Sequence, residues 1–275
     1  MMRRRDVSGP PTFPGHRRHL GWGYHDRGQF LRAAAQFLRQ GLARNELVEF
    51  VGEGTPSELT AAMRAAGLPD VRVTPAQDFY PVSDDRVLDP DAAIATLTDA
   101  AGRALAEGYA GLRIVGDATG LVRRPEGRDA FARYEFLADR VIAELPIAAM
   151  CAFGITALGD AAAELVCLHG EVGEAVPDFR IHAAPGVAFA LGGEIDAASA
   201  DLFASTLDRV WPLLDCDDVV IDASRLDYLD HSTLLRLDAT AAQSGRRILL
   251  RGAGPLVCRL VGVLRPSNTV VEPAA

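Results

Sequence analysis

Hydrophobic positions in the first part of the chain follow two alternating patterns, separated by polar or glycine-rich turns. Short continuous runs predict strands at residues 47–51, 71–74, 112–115 and 147–153. Apolar residues at helical spacing predict helices at residues 29–42, 56–66, 90–107 and 129–144. Residues 158–168 are predicted to form a helix, or a helix fused to a strand. Such alternation predicts an α/β fold with a mostly parallel sheet and helices on both faces.

A smaller α/β unit follows in the last third of the chain. Residues 187–264 predict the order strand, helix, strand, acidic turn, helix, strand, helix. The first strand ends at residues 193–196, which open a helix. The second leads into residues 230–233, where short polar residues precede apolar residues at helical spacing. We therefore predict two domains, at residues 16–170 and 179–275, joined by a short acidic linker at residues 171–178.

Composition limits the class of protein. The chain has 275 residues, a hydrophobic content of 49% and a mean hydropathy of +0.09, typical of a soluble protein with room for two domains. No segment has the roughly 18 uncharged apolar residues that a membrane span needs. Residues 1–15 are basic and proline-rich without an apolar core, which predicts a disordered tail rather than a secretion signal. We expect a cytoplasmic protein with no membrane partner.

Charge and cysteine usage exclude further classes. The formal net charge is −9 and the pI is about 5.2, which argues against direct binding of nucleic acid. All 28 basic residues are arginine, so chemistry that requires a lysine is not available to this chain. The four cysteines are far apart in sequence, as expected for reduced thiols in the cytoplasm rather than for a disulfide framework. They are Cys151, Cys167, Cys216 and Cys258.

A glycine-rich turn at residues 52–57 lies between a predicted strand and a predicted helix, as phosphate-binding loops do. Asp117, at the end of another strand, would suit the acid that holds magnesium. The turn lacks the length and the lysine of G-x-x-x-x-G-K-[ST], so it would neutralise a triphosphate poorly. We expect no enzymatic activity, no catalytic residues and no cofactor. The alternative is a nucleotide-binding switch or ATPase that uses this turn.

The C-terminal motifs resemble those of the STAS family, the domain of anti-sigma factor antagonists. That family carries G-E-[IL]-D near its first helix and D-S-[ST]-G at its second, which correspond to residues 193–196 and 230–233. The resemblance implies docking on an anti-sigma factor of the serine kinase type, which phosphorylates the first serine of D-S-[ST]-G and so ends the interaction. The implied partner-binding residues are Asp230, His231, Ser232, Thr233 and Asp196.

His231 stands where the STAS family has its phosphoacceptor, whereas Ser232 and Thr233 provide hydroxyls one and two residues further along. A phosphate in the first helical turn would add about two negative charges and disturb a packed interface. Asp230 also suits a purely local role as the N-cap of the helix. Ser232 and Thr233 are therefore candidate phosphoacceptors, and both a phosphorylation switch and a scaffold that does not switch remain open.

Scattered residues of the first domain resemble the MEDS family. They are His19, Tyr24-His25-Asp26, Gly41-Leu42, Glu46, Gly111-Leu112-Arg113, Gly116-Asp117, Tyr134-Glu135, Cys151 and His169. The resemblance implies a sensory module with a degenerate fold similar to RecA and KaiC, found beside DNA-binding, kinase or STAS partners. Asp117 departs from the glutamate expected there, and Leu168-His169-Gly170 departs from the common histidine-proline.

Six residues of this domain are candidates for binding an unidentified small-molecule signal, because open parallel sheets gather ligands at strand ends. They are His19, Tyr24, Arg113, Asp117, Cys151 and His169. A metal site of His19, Cys151, Cys167 and His169 can be sketched, but no close C-x-x-C or H-x-x-x-H pair anchors it. We expect core roles for these residues and no metal. An interior ion pair or cap suits Arg113 and Asp117 as well as ligand contact does, and Tyr134-Glu135 predicts a packing residue and a solvated neighbour.

Together, these patterns predict a signalling regulator, an anti-sigma factor antagonist acting in transcription regulation through protein–protein interaction. A MEDS-like sensory module would control a STAS module that docks on an anti-sigma factor kinase.

Overall fold

A computed structural model describes residues 18–83, 85, 87–173 and 177–274. The predicted N-terminal tail at residues 1–15 lies outside the described residues. The strands are β1 (Arg18–Tyr24), β2 (Leu47–Gly52), β3 (Arg72–Pro75), β4 (Leu112–Asp117), β5 (Ile147–Gly154), β6 (Glu171–Val172), β7 (Phe179–His182), β8 (Phe189–Ile195), β9 (Asp218–Leu229), β10 (Arg247–Ala253) and β11 (Thr269–Pro273). The helices are α1 (Arg27–Leu42), α2 (Pro56–Ala65), α3 (Ala76–Phe79), α4 (Pro90–Ala106), α5 (Pro125–Glu144), α6 (Ile155–Leu158), α7 (Ala163–Val166), α8 (Ala200–Val210), α9 (His231–Gln243) and α10 (Pro255–Leu264).

Among the described residues, six strands form a first sheet in the order β3-β2-β4-β5-β1-β6, and every pairing in it is parallel. Helices α1 and α2 cover one face, where Phe30, Phe37 and Leu59 are buried. Helices α4 and α5 cover the other face through Leu97 and Phe131. The predicted parallel sheet with helices on both faces is confirmed.

Side-chain caps set the starts of the principal helices. Asp26 accepts a hydrogen bond from the Gln29 amide at 2.8 Å, so α1 begins two residues before the predicted start. Thr55 and Glu58 form a capping box at α2. Helix α5 begins at Pro125, four residues before the predicted start, because proline is compatible with the first helical turn.

Strand β1 is absent from the sequence-based prediction and yet lies inside the sheet, between β5 and β6. Its sequence, Arg-His-Leu-Gly-Trp-Gly-Tyr, gives no continuous apolar run. One of its glycines is needed for space, because a Cβ at Gly21 would lie 2.7 Å from Nδ1 of His169. Residues 155–166 form two short helices joined by a 3-10 turn, and no strand is fused to them in this described segment.

A second sheet has the order β11-β10-β9-β8-β7 among the described residues, and only its β7–β8 pairing is antiparallel. Together with α8, α9 and α10 it forms the smaller α/β domain predicted for this part of the chain. Strand β9 runs to Leu229, because Arg225 to Leu229 pair with Gly192 to Ile195 of β8. Of the predicted turn at residues 230–233, only Asp230 lies between β9 and α9, and the other three residues are the first of the helix. Edge strands β7 and β11 were not predicted.

The two domains pack against each other through helices α5 and α7 of the first and α8 of the second. Buried residues of both domains form one continuous apolar cluster that includes Phe131 and Phe203. Arg209 of α8 binds Asp129 at 2.7 Å and Glu164 at 2.8 Å, both across the junction. Glu171 and Val172, in the predicted linker, form β6 and so extend the first sheet. Residues 174–176 of the predicted linker lie outside the described residues.

Within the described part of the chain, no helix has both the length and the apolar character needed to cross a bilayer.

Candidate functional site

The start of α9 is organised by Asp230, which occupies the N-cap position in extended conformation. One carboxylate oxygen accepts a hydrogen bond from the Thr233 amide at 2.7 Å. The Ser232 hydroxyl donates to the same carboxylate at 2.9–3.0 Å. Burial alone would raise the pKa of Asp230, but the hydrogen bonds from Thr233 and Ser232 lower it below its usual value. The helix start therefore carries a fixed negative charge.

The three residues after Asp230 differ in exposure. His231 and Ser232 are exposed, whereas Thr233 is only 3% exposed. The Thr233 hydroxyl has no hydrogen-bond partner among the described residues. Of the two candidate phosphoacceptors, only Ser232 presents its residue surface to solvent.

Asp196 lies beside this helix start because β8 and β9 are parallel neighbours. The Asp230 amide donates a hydrogen bond to the Ile195 carbonyl at 2.9 Å, which ties the two turns together. Asp196 is exposed, and its carboxylate accepts from the Ala198 and Ser199 amides at 2.9 and 3.2 Å. The structure thus brings the five predicted partner-binding residues to one edge of the second sheet.

A second site lies at the carboxyl ends of β2, β3 and β4 in the first sheet. A cavity of about 620 Å³ is lined there by residues that include Gly52, Glu53, Asp85, Asp117 and Arg124. Three of these five carry carboxylates and one carries a guanidinium group. This lining is poorly suited to a triphosphate, which requires positive charge.

Tyr24 and Asp117 form a buried pair at this cavity. The Tyr24 hydroxyl donates to Asp117 at 3.0 Å, and the Thr119 hydroxyl donates to the same carboxylate at 2.6 Å. Burial and the neighbouring Asp117 raise the pKa of Tyr24 to about 12. Asp117 is therefore held by protein hydrogen bonds at the edge of the cavity.

A third site is buried between β1, β5, α5 and the segment after α7. It consists of His19, Glu135, Cys151 and His169, which we call the histidine cluster. The four ligand atoms all lie within 4.8 Å of one another, and all four residues are buried. Oε2 of Glu135 lies 3.0 Å from Nε2 of His19, 3.4 Å from Sγ of Cys151 and 3.5 Å from Nε2 of His169.

Electrostatics in the histidine cluster are dominated by the carboxylates. Burial lowers the pKa of His19, but Asp139 and Cys151 raise it more, so it is held well above its usual value. Burial raises the pKa of Glu135, yet His169 and His19 outweigh this and bring it to about 2. Burial and the charge of Glu135 raise the pKa of the Cys151 thiol to about 12. The cluster therefore holds a carboxylate that needs a positive charge beside it.

The six candidate ligand-binding residues thus fall into three separate groups. His19, Cys151 and His169 meet in the histidine cluster, and Tyr24 and Asp117 meet at the cavity. Arg113 belongs to neither group: it is fully buried, its Nε donates to Glu46 at 2.6 Å, and its guanidinium group lies 4.6 Å from the Phe37 ring centre. The interior ion pair considered for Arg113 is the arrangement found.

Sequence reasoning missed Glu135, which was predicted to be solvated and is instead fully buried. The signal that could have found it is its position on α5, one turn before Asp139 and one turn after Phe131, both of which face inward. Cys167, included in the sketched metal site, lies apart from the cluster, where its thiol contacts the Thr206 hydroxyl at 3.6 Å.

Comparison with known families agrees with this architecture. The fold and sites define a two-domain α/β protein with a parallel-sheet domain followed by a smaller STAS domain. A family model described as MEDS, MEthanogen/methylotroph, DcmR Sensory domain, matches residues 18–170, more than half of the chain, so the chain belongs to the MEDS family. A second model, described as Mlab, STAS domain, matches residues 182–271. A search of curated proteins finds no match.

The predicted order of a MEDS domain followed by a STAS domain is confirmed. This combination indicates a signalling protein resembling the anti-sigma factor antagonists.

Proposed function

We propose that this protein is a cytoplasmic anti-sigma factor antagonist whose STAS domain docks on an anti-sigma factor of the serine kinase type. The observation that carries the proposal is the exposed start of α9. There, His231 and Ser232 are accessible beside the buried Asp230 carboxylate, which caps the helix. Asp196 on the adjacent turn extends this surface. The protein acts by binding and not by catalysis.

Rigidity of the helix start supports recognition by a partner. The Asp230 carboxylate accepts a hydrogen bond from the Thr233 amide, and the Asp230 amide donates one to the Ile195 carbonyl. These two bonds fix the backbone on both sides of the exposed residues. A partner therefore meets a preorganised surface, which lowers the ordering cost of binding. Exposed apolar side chains also flank the helix start in sequence: Tyr228 is 42% exposed and Leu235 is 47% exposed.

Phosphorylation of Ser232 would act directly on this arrangement. Its hydroxyl lies within 3.0 Å of the Asp230 carboxylate, so a phosphate there would place about two further negative charges beside an existing one. The repulsion would displace the cap or the serine and change the surface. His231 at the family's phosphoacceptor position leaves Ser232 as the accessible hydroxyl, and a scaffold that does not switch is the result if Ser232 is never modified.

The MEDS domain would control docking through the junction. Its helices α5 and α7 pack on α8 of the STAS domain, and Arg209 joins α8 to residues of both helices. A signal bound by the MEDS domain would have to alter these contacts to alter the STAS surface.

An affinity experiment with a matched control tests the docking surface. Full-length wild-type protein and the Ser232→Asp variant are used to capture partners from the native host, and a kinase-type anti-sigma factor so identified is purified and titrated. Ser57→Asp is the control, because Ser57 also lies exposed in a first helical turn, with its hydroxyl 3.1 Å from that of the capping Thr55. We expect Ser232→Asp to weaken binding at least tenfold and Ser57→Asp to leave it unchanged.

Unchanged affinity in Ser232→Asp would place the contact elsewhere. Absence of any kinase-type anti-sigma factor among the captured proteins would contradict the proposed partner class. Incubation with the purified kinase, followed by mass spectrometry, then separates a switch from a scaffold by the presence or absence of phosphate on Ser232.

The alternative is a nucleotide-dependent switch at the turn beginning with Gly52, for which the 620 Å³ cavity provides the space although its carboxylates do not suit a triphosphate. Calorimetry with ATP and magnesium tests it. Tight binding with turnover would establish this alternative and refute a purely binding role.

A further inference from the structure

We propose that the histidine cluster is a binding site for one divalent transition-metal ion of the zinc type, although the sequence alone favours core roles for these residues. Around a tetrahedral ion with bonds of about 2.0–2.3 Å, the ligand atoms lie about 3.3–3.7 Å from one another. Four of the six separations in the cluster are 3.0, 3.4, 3.4 and 3.5 Å. All six are within 4.8 Å. The cluster therefore has nearly the dimensions of a four-ligand site before any ion is considered.

Both imidazole rings are oriented as metal ligands. Nδ1 of His19 lies 2.8 Å from the Asp139 carboxylate, and Nδ1 of His169 lies 3.0 Å from the Leu165 carbonyl. Because these oxygens only accept hydrogen bonds, each Nδ1 carries a proton, and the other ring nitrogen, Nε2, faces into the cluster, where a bound ion would take the place of any proton on it. Outer acceptors of this kind fix the tautomer of histidine ligands in metal sites.

Two polar atoms of the cluster remain unsatisfied in the protein alone. Nε2 of His169 and Oε1 of Glu135 are buried and have no hydrogen-bond partner among the described residues. An unpaired buried polar atom costs about 1–3 kcal/mol, so such atoms are usually explained by a group that binds them. A metal ion bonded to Nε2 would satisfy the first of these atoms directly.

The ligand types indicate the class of ion. Two imidazole nitrogens, a thiolate and a carboxylate suit zinc, cobalt or ferrous iron, whereas magnesium and calcium require oxygen ligands. On binding, the ion would displace the proton of the Cys151 thiol to solvent, and the resulting thiolate and the Glu135 carboxylate would carry two negative charges, which one divalent ion neutralises. This matters because the site is buried and unpaired charge there is costly.

Metal content of the full-length protein tests the proposal. Protein is purified without chelators from cells grown with added zinc, and separately with added cobalt, and bound metal is measured by mass spectrometry. We expect about one ion per chain in the wild type and less than a tenth of that in Cys151→Ser and His169→Gln. Cys167→Ser is the matched control, because Cys167 is an equally buried cysteine outside the cluster, and it should retain the ion.

A spectroscopic measurement on the wild type keeps the test decisive if a variant fails to fold. Cobalt bound by Cys151 should give a thiolate-to-cobalt charge-transfer band and the intense visible bands of tetrahedral coordination. Asp139→Asn, which leaves one oxygen in place of the two that accept from His19 and from the Ala183 amide, should weaken metal affinity about 10–100-fold. The proposal is overturned by wild type without metal, by bound cobalt lacking the thiolate band, or by folded Cys151→Ser and His169→Gln that keep full metal content. If the wild type holds no metal, the four side chains are joined by hydrogen bonds through their own protons instead of by an ion.

Discussion

Replacing Asp230 with alanine tests whether the docking surface depends on the cap of α9. Loss of a side-chain N-cap costs about 0.5–2 kcal/mol. The upper half of this range applies, because the cap bond is short, at 2.7 Å, and the Thr233 amide that would lose its partner is buried. We therefore expect Asp230→Ala to lower the free energy of unfolding by about 1–2 kcal/mol.

Urea and thermal denaturation, followed by circular dichroism, measure this change. In a chain of this size, about 1 kcal/mol shifts the melting midpoint by roughly 2–4 °C. Asp230→Asn is the matched variant, because asparagine caps helices about as well as aspartate does. It should keep most of the stability at neutral pH. An Asp230→Ala midpoint equal to wild type, or an Asp230→Asn loss as large as that of alanine, would refute the reasoning.

The pH dependence of the same variants gives a second reading. The pKa of Asp230 is lower in the folded protein than its usual value of 3.8, owing to the bonds from Thr233 and Ser232. A group with a lowered folded pKa stabilises fully above its unfolded pKa and loses that contribution as pH falls through the folded pKa. The stability difference between wild type and Asp230→Ala should therefore shrink below about pH 4. The difference between the asparagine and alanine variants should not change, since neither titrates.

Four further substitutions test the packing of a buried ring, the close approach at a glycine with its control, and a buried hydroxyl without a partner. Phe203→Ala should cost about 3–5 kcal/mol in urea denaturation, because this buried ring packs edge-on against a phenylalanine of β7 at 5.6 Å and a cavity would remain; a loss below about 1 kcal/mol would contradict that packing. Gly21→Ala should destabilise the protein, and it should reduce the metal content expected for the histidine cluster, because the added methyl group displaces His169. Gly102→Ala, in open space within α4, should stabilise the protein by about 0.5–1 kcal/mol. Thermal denaturation that ranks the two variants in the opposite order would refute this. Thr233→Val should be neutral or stabilising by up to about 1 kcal/mol, because it removes a buried hydroxyl without a described partner, and lost partner binding in a folded variant would show that the hydroxyl matters.

Much of the first sheet could be predicted because its strands are continuous apolar runs and its helices begin at recognisable caps. Strand β1 could not, since its apolar residues alternate with glycines, one of which, Gly21, makes room for the side chain of His169. Strand β6 was not predicted either, because its two residues form a strand only by pairing with β1. Both strands depend on tertiary contacts that local sequence does not encode.

At the candidate sites, the sequence was most informative where one short segment forms the surface. Residues 230–233 are contiguous, so the capped helix start could be predicted directly from them. The histidine cluster draws one residue each from β1, α5, β5 and the segment after α7, with gaps of more than a hundred residues between its first and second members. Without a close ligand pair, no spacing rule brings these residues together, and Glu135, although noted in the resemblance to the MEDS family, was predicted to be solvated.

The histidine cluster and the α9 start are connected across the junction by hydrogen bonds, strand pairing and the backbone of β7 and β8. Asp139, whose one carboxylate oxygen bonds His19, accepts a hydrogen bond from the Ala183 amide at 3.1 Å through the other. Ala183 follows β7, which pairs with β8, and β8 ends at Ile195, whose carbonyl accepts the Asp230 amide. Contact alone does not make a switch, because coupling requires an element with two arrangements that both sites bias. Strand β7 is a candidate for such an element, because it is short, lies at the edge of its sheet and contacts both domains. It would act beside the contacts of α8 with α5 and α7, since Asp139 itself lies on α5.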